Sequence, residues 1–290
     1  MKLRKTAPKR FALLISAIVV VVILCVIGGY MAFSQSAARK EDKVVSKSTS
    51  SETKNKDDSD NMVQTVLPDK PAVPGSLLNL ANWKIALPVD TARAGTPDEI
   101  EQPELAHFTD PNSFFLNTER DGVVFRARAD GVTTKNSKYP RSELREMTNT
   151  GAKDASWSTS KGTHEMTVRQ AITHLPDVKS ELVAAQIHDD SDDVIMVRLE
   201  KNHLFVEGGG ENLGTLDNNY TLGTIYEVKI EVQNNTIKVY YNGTLKVDIK
   251  KTGTGYYFKA GCYTQTNTTK GDPATSYGEV IIYNVTVRHS

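Results

Sequence analysis

Short segments in which polar and apolar residues alternate follow one another from residue 75 to residue 290. This period of two is typical of β-strands with one buried face, and apolar residues at helical spacing are scarce. The pattern predicts strands over residues 123–129, 141–147, 162–172, 182–188, 194–200, 204–207, 225–232, 237–241, 245–249, 256–263 and 280–287. Only residues 98–105 are predicted to be helical, over one or two turns.

The clearest local feature is a β-hairpin over residues 236–249. Asn242 and Gly243 supply the two positive-φ positions of a type I′ turn between alternating flanks. Many antiparallel strands at close spacing predict an all-β domain over residues 75–290, either a sandwich or a jelly roll. The sequence has no repeat of roughly 20–50 residues, which disfavours a propeller or a solenoid.

The first 74 residues have a different pattern. Residues 11–33 have no charged side chain, and a run of that length can cross a hydrocarbon layer of roughly 30 Å. Residues 1–10 have five positive charges, so the positive-inside rule predicts a cytoplasmic tail before a transmembrane anchor. A cleaved signal sequence is the alternative, because the small residues Ser36, Ala37 and Ala38 follow the run. Residues 34–74 are polar and predict a disordered linker. The domain is thus expected outside the cell, either attached to the membrane or secreted.

Charge and cysteine content exclude several classes of function. The chain has 35 basic and 35 acidic residues, but residues 71–290 contain 23 basic against 28 acidic ones. Such a domain is a poor nucleic-acid binder, and an anionic substrate would need a locally positive site. The only cysteines are Cys25 and Cys262, too few for a disulfide scaffold or a zinc–thiolate cluster. Cys262 is expected to be a buried free thiol.

Three predicted strands place hydrogen-bonding side chains in rows on one face, because residues two apart share a face. In residues 141–147, 182–188 and 256–265 the opposite face is largely apolar. The polar rows contain Arg141, Glu143, Arg145, Gln186, His188, Tyr257, Lys259, Tyr263 and Gln265. Each row alone has the composition of a solvated outer face. Together they predict a locally cationic groove, which suits a polymer bearing carboxylates.

These segments also resemble a known family. RSELR at 141–145, QIH at 186–188 and YFKAGCYTQ at 257–265 resemble the three signature motifs of the alginate lyases of polysaccharide lyase family 7. NWKIALP at 82–88 and GEVIIYNVTV at 278–287 resemble the opening and closing strands of that family. The resemblance implies a β-jelly roll with a concave groove, in which alginate is cleaved by β-elimination without a metal or another cofactor.

The chemistry of elimination gives each residue of the rows an expected role. The C5 proton of a 4-linked uronate is weakly acidic, and neutralising the adjacent carboxylate makes it easier to remove. We expect Arg141 and Gln186, with a contribution from His188, to stabilise the developing charge. His188 is the expected general base, and Tyr263 is expected to protonate the departing O4 or to serve as both base and acid.

The other polar residues of the rows are expected to bind substrate. Arg145, Tyr257, Lys259 and Gln265 would hold neighbouring sugars, and Glu143 would orient the two arginines. Glu143 and Glu146 lie on opposite faces of a strand, so a glycosidase pair is disfavoured. The acidic run Asp189–Asp193 is expected to be a solvated hairpin tip rather than a calcium site. His107, His164, His174, His203 and His289 are expected to be structural or exposed.

Two alternatives stay open at this point. The domain could be a carbohydrate-binding jelly roll that holds anionic polysaccharides without cleaving them, or a lyase for a related polyuronate such as glucuronan. Simple binding gives no reason for His188 and Tyr263 to join the polar rows, which favours the enzyme. The chain is expected to be a monomer. The sequence leaves open the preference for mannuronate or guluronate and the choice between endo and exo cleavage.

Overall fold

Alternation along the strands determines the architecture of the domain. The protein is described by a computed structural model over residues 70–290. Two antiparallel sheets each turn an apolar face toward a shared core. This confirms the all-β sandwich predicted from the alternating pattern. The predicted basic tail, the apolar segment and residues 34–69 of the linker lie outside the described residues.

The described residues form 17 strands. In chain order they are β1 (Trp83–Ala86), β2 (Glu99–Ile100), β3 (Phe114–Leu116), β4 (Val123–Arg128), β5 (Arg141–Thr148), β6 (Lys153–Asp154), β7 (Trp157–Ser158), β8 (Thr163–His174), β9 (Glu181–His188), β10 (Asp193–Glu200), β11 (His203–Gly208), β12 (Glu211–Asp217), β13 (Tyr226–Gln233), β14 (Thr236–Tyr241), β15 (Thr244–Lys250), β16 (Thr254–Thr264) and β17 (Tyr277–His289). Short 3-10 helices cover Pro74–Ser76, Glu104–Ala106 and Thr268–Lys270. Within residues 70–290, no helix is long and apolar enough to cross a membrane.

The order of strands in the sheets differs from their order in the sequence. One sheet has ten strands, with the main order β12-β11-β10-β9-β16-β5-β1-β2, and β6 and β7 at its margin. The other sheet has seven strands in the order β15-β14-β13-β8-β17-β4-β3. The ten-stranded sheet therefore brings β9, β16 and β5 side by side, although they lie far apart in the sequence. These are the three strands that contain the predicted polar rows.

The eleven predicted strands are all present, with small shifts at their ends. Asn242 and Gly243 have φ of 47° and 79°, which confirms the predicted turn between β14 and β15. The prediction of a helix over residues 98–105 is wrong for the first half of that segment. There Glu99–Ile100 pairs with β1, and only Glu104–Ala106 forms a single 3-10 turn. The pattern also missed β12 and the short strands β1, β3, β6 and β7, of which β1 was expected only from the family resemblance.

The two faces of β5, β9 and β16 separate as the alternation predicts. Their apolar row belongs to the core and is fully buried, as in Leu144, Ile187 and Phe258. Cys262 is also fully buried there, and burial raises the pKa of its thiol. The predicted buried free thiol is therefore confirmed. The polar row lies on the face turned away from this core, where it is free to form a site.

One glycine allows β16 and β5 to approach each other at the centre of the site. Gly261 has φ of 145° and lies opposite Glu143 in the ladder. A Cβ atom at this position would lie 2.6 Å from the carbonyl oxygen of Ser142 and 2.8 Å from the Cα of Glu143. Both are backbone atoms, so a side chain would push the strands apart, and this φ is essentially restricted to glycine.

A second carboxylate fixes the same strands from inside the sandwich. Glu146 is buried, and its Oε2 accepts hydrogen bonds from the backbone amide of Phe258 at 2.8 Å and from Trp157 Nε1 at 3.1 Å. Its Oε1 lies 2.5 Å from Nε2 of His289, whose other ring nitrogen lies 2.8 Å from His164. Glu146 therefore joins β5, β16, β7 and the end of β17. It lies on the opposite face of β5 from Glu143, as predicted.

Candidate active site

The register of β9, β16 and β5 sets the predicted residues in rows across the sheet. Lys259, in the middle strand, lies opposite Gln186 on one side and Arg145 on the other. Tyr257 lies opposite His188, and Tyr263 lies opposite Arg141. The sheet therefore brings together on one face residues that are more than 100 positions apart in the sequence.

Glu143 is the centre of this arrangement. Its side chain is inaccessible to solvent and accepts hydrogen bonds from all three strands. Oε2 lies 2.9 Å from Nη1 of Arg141 and 2.6 Å from Nζ of Lys259, while Oε1 lies 2.5 Å from Nε2 of Gln186. The expectation that Glu143 orients two arginines is therefore half right, because its second cation is Lys259. Arg145 instead pairs with Asp154 at 2.9 Å.

The positive charges of Lys259 and Arg141 offset the unfavourable burial of the Glu143 carboxylate. Burial opposes ionisation of Glu143, but the charges of Lys259 and Arg141 outweigh it and hold the pKa of Glu143 below its ordinary value. Burial lowers the pKa of Lys259 to about 8, against the opposing effect of Glu143. Arg141 and Lys259 share one buried carboxylate, and Arg145 pairs with the exposed Asp154, so the site is locally positive within an acidic domain.

Arg141 connects this ion-pair cluster to Tyr263. Its guanidinium carbon lies 3.9 Å from the centre of the Tyr263 ring, a cation–π contact. Its Nη2 donates a hydrogen bond to Oγ of Ser137 at 2.9 Å, and the same oxygen lies 3.1 Å from the hydroxyl of Tyr263. Nε of Arg141 is buried and has no hydrogen-bond partner within residues 70–290. Tyr263 is half-buried, so its hydroxyl can reach a ligand.

His188 borders the cluster at the end of β9. Its Nδ1 lies 2.5 Å from the carbonyl oxygen of Asp189 and 3.1 Å from the hydroxyl of Tyr257. A carbonyl oxygen only accepts, so Nδ1 must carry the hydrogen, and Nε2 of the neutral ring is left with its lone pair. Burial, with the charges of Lys259 and Arg141, lowers the pKa of His188. The ring is therefore neutral, and basic at Nε2, around neutral pH.

The residues predicted to bind neighbouring sugars do not all lie at the Glu143 cluster. Arg145 lies with its guanidinium carbon 4.0 Å from the centre of the Tyr257 ring, so these two form one stacked unit beside His188. Gln265 lies beyond Tyr263, and within residues 70–290 its side-chain amide donates a hydrogen bond only to the backbone of Thr264, at 3.3 Å. It has no side-chain contact with the Glu143 cluster among the described residues.

Sequence reasoning missed Ser137 and Asp154. Ser137 lies in the loop before β5, and Asp154 lies in the two-residue strand β6. Neither position belongs to an alternating row, so the pattern could not identify them. The only indication for Ser137 is its place four residues before Arg141, and proximity in sequence alone does not predict a contact.

The remaining candidates have the structural roles that were expected. His164 and His289 belong to the internal Glu146 network. The acidic run forms the tip of the β9–β10 hairpin, where Oδ1 of Asp189 accepts backbone hydrogen bonds from Ser191 and Asp192. Within residues 70–290, no group of three or more His, Cys, Asp or Glu side chains is arranged to hold a metal ion.

Comparison with known proteins gives a family for this fold and site. A family model described as "Alginate lyase" matches residues 78–289. The structure resembles alginate lyase AlgAT5 from polysaccharide lyase family 7, with 54% identity, a TM-score of 0.73, and 76% of this chain and 100% of that chain covered. It also resembles the alginate lyase from Corynebacterium sp., with 47% identity, a TM-score of 0.72, and 75% and 98% of the two chains covered.

A third similar structure contains a ligand. It is the family 7 alginate lyase A1-II′ with one histidine changed to asparagine and one tyrosine changed to phenylalanine, in complex with substrate (GGMG). It has 28% identity to this chain and a TM-score of 0.63, and the match covers 76% of this chain and 97% of that one.

The chain belongs to the alginate lyases of polysaccharide lyase family 7. It is accordingly a polysaccharide lyase that cleaves alginate, and its sandwich is the jelly roll of that family. This favours the enzyme over the carbohydrate-binding module.

We expect Glu143→Ala to destabilise the protein strongly. The substitution leaves Arg141 and Lys259 buried without their shared carboxylate, and removing one partner of a buried ion pair typically costs about 3–5 kcal/mol. Urea unfolding followed by circular dichroism would measure the loss. The matched control is Glu99→Ala, which removes an exposed carboxylate from Lys84 and should cost less than about 1 kcal/mol. Equal losses in the two variants would contradict a central role for Glu143.

Proposed function

We propose that this chain cleaves alginate by β-elimination on the polar face of β5, β9 and β16. The observation that supports this most is the continuity of the site. A hydrogen-bonded chain runs from Tyr263 through Ser137, Arg141 and Glu143 to Gln186, beside a histidine whose Nε2 is a free base within the described residues. Such an arrangement has a use in proton transfer that simple binding of a polyanion does not require.

The first step is neutralisation of the uronate carboxylate. Elimination removes the proton at C5, and the negative charge that develops spreads into the adjacent carboxylate. Donors that are already in place stabilise this charge without reorganisation. Arg141 has N–H groups beyond those that bond Glu143 and Ser137, and the amide nitrogen of Gln186 has one hydrogen beyond the one held by Glu143.

The second step is proton abstraction by His188. The contact with the carbonyl of Asp189 places the hydrogen on Nδ1, so Nε2 accepts the C5 proton. Because the neutral tautomer has no hydrogen to donate at Nε2, His188 serves better as the base than as a donor to the carboxylate. The electrons of the C5–H bond then form the C4–C5 double bond.

The third step is departure of O4. The electron pair of the C4–O4 bond leaves with the oxygen, which takes the phenolic proton of Tyr263. The products are an unsaturated uronate at one new end and a free hydroxyl at the other. Solvent then returns the proton from His188 to Tyr263. Where C5–H and O4 lie on the same side of the ring, Tyr263 alone can perform both transfers: starting as the phenolate, it takes the C5 proton and passes that proton to O4.

The substrate class follows from charge and from the relatives. Arg145, Tyr257, Lys259 and Gln265 would hold the neighbouring sugars of the polymer, with no metal or other cofactor. The A1-II′ variant that was captured with substrate has one histidine and one tyrosine substituted, which supports reaction chemistry shared between these two residue types. We expect the catalytic unit to be a monomer.

Loss of either proton-transfer group should abolish most turnover. We expect His188→Ala and Tyr263→Phe each to lower kcat on alginate by roughly 100-fold or more, since one general acid or base contributes about 10²–10⁴-fold. The near-ultraviolet absorbance of the unsaturated product gives the rate. Circular dichroism should show an intact fold, and the exposed hairpin variant Ser191→Ala is a control.

Four outcomes of these assays would oppose the proposal. Near-normal rates in both variants would remove the roles of His188 and Tyr263. If the protein binds alginate but produces no absorbance, the domain is a carbohydrate-binding module instead. If it cleaves glucuronan faster than alginate, glucuronan is the preferred substrate. Activity should also survive a chelator, and strict metal dependence would contradict a mechanism that uses side chains alone.

The dependence of kcat/KM on pH should be bell-shaped. A general base must be neutral, and the lowered pKa of His188 places its acidic limb below pH 6.5. Lys259 has a pKa of about 8, so it loses its positive charge above that pH and binding of a polyanion should weaken. We expect Lys259→Arg to hold a positive charge at higher pH and to move the alkaline limb upward. An unchanged alkaline limb would exclude Lys259 as its cause.

We also propose that the domain is displayed outside the cell, anchored in the membrane by residues 11–33. The support is the uncharged run after a basic segment, and a polymeric anionic substrate that does not cross membranes. The alternative is secretion after cleavage. Fractionation of cells that express the full chain should place lyase activity in the membrane fraction, accessible to added protease. Activity in the medium, with a new amino terminus, would establish secretion instead.

A further inference from the structure

The hydroxyl of Ser137 lies between the two side chains on which the proposed reaction depends. Oγ of Ser137 accepts a hydrogen bond from Nη2 of Arg141 at 2.9 Å and lies 3.1 Å from the hydroxyl of Tyr263. It also lies 3.0 Å from the carbonyl oxygen of Tyr139 and accepts a hydrogen bond from the backbone amide of Tyr139 at 3.3 Å. Four polar groups thus meet at one serine, which belongs to none of the polar rows.

The loop that contains Ser137 is held against β16 and the segment that follows it by two hydrogen bonds. The hydroxyl of Thr264 donates a hydrogen bond to the carbonyl of Pro140 at 2.9 Å, and Nδ2 of Asn267 donates one to the carbonyl of Lys138 at 2.9 Å. Because Thr264 is the neighbour of Tyr263 in β16, these bonds fix the distance between Ser137 and the tyrosine.

A count of hydrogens shows what this serine can do. Its hydroxyl has one hydrogen and two lone pairs, and Arg141 can only donate, so one lone pair is occupied. The second lone pair faces the backbone amide of Tyr139 at 3.3 Å and, when Tyr263 holds its proton, also accepts from the hydroxyl of Tyr263, while Ser137 donates to the carbonyl of Tyr139. When Tyr263 has lost its proton, Ser137 can turn its hydrogen from Tyr139 to the phenolate. The serine therefore satisfies both protonation states without movement of any heavy atom.

We infer that Ser137 is a positioning residue, which holds the hydroxyl of Tyr263 in one place through proton transfer and stabilises its phenolate together with Arg141. This inference rests on the proposed role of Tyr263 in the elimination. An oriented hydroxyl and a guanidinium above the ring both favour the negative charge that forms when the proton passes to O4.

The test compares two substitutions at this position. We expect Ser137→Ala to lower kcat by about 10- to 100-fold with little change in KM, because the tyrosine loses its orientation while the sugar-binding residues stay in place. Ser137→Thr keeps the hydroxyl and should recover most of kcat. Ser160→Ala, an exposed serine bonded to Ser158, is the control.

A double substitution separates action through Tyr263 from a general effect. In the Tyr263→Phe background, adding Ser137→Ala should change the residual rate by less than about twofold, because the contact is already lost. Equal losses in both backgrounds, a raised KM with unchanged kcat, or no recovery with threonine would each overturn the inference. If Tyr263→Phe itself keeps full activity, the proposed function fails. If Tyr263→Phe is inactive and Ser137→Ala is normal, only the role of Ser137 fails.

Discussion

A single buried carboxylate explains why three distant strands meet where they do. Glu143 is 1% exposed and accepts hydrogen bonds from Arg141, Lys259 and Gln186, one donor from each of β5, β16 and β9. An isolated charge at this depth would be prohibitively unfavourable, so the fold is stable only when these donors surround it. The same contacts place the cationic and amide groups that a uronate requires. Stability and substrate recognition therefore depend on one set of bonds.

The strands of the site are fixed from both faces. On the outer face Glu143 joins β5 to its neighbours, and on the inner face Glu146 receives the amide of Phe258 and the ring of His289. The two carboxylates are three residues apart in one strand, which places them on opposite sides of the sheet. Between them, the left-handed backbone of Gly261 allows the strands to approach closely. These constraints hold the reacting side chains on rigid elements rather than on loops.

The alternating pattern predicted the strands, the two faces of β5, β9 and β16, and a locally positive site. Alternation with a period of two can be recognised in a strand of eight residues but not in a strand of two. This explains why Lys153–Asp154 and Trp157–Ser158 were missed. The prediction that Glu143 pairs with two arginines was half wrong for another reason. Lys259 reaches it because β16 lies between β9 and β5, and that order is a property of the whole sheet. Ser137 lies in a loop, where local sequence predicts no long-range contact.

The place of β17 in its sheet has a consequence for how the domain is made. β17 lies between β8 and β4, and it pairs with both. It is also the last strand of the domain, so the ribosome produces it after the sixteen others. Until then β8 and β4 have no common neighbour, and their sheet stays divided into two parts. Folding of this enzyme must therefore finish late, after nearly all of the domain has been synthesised.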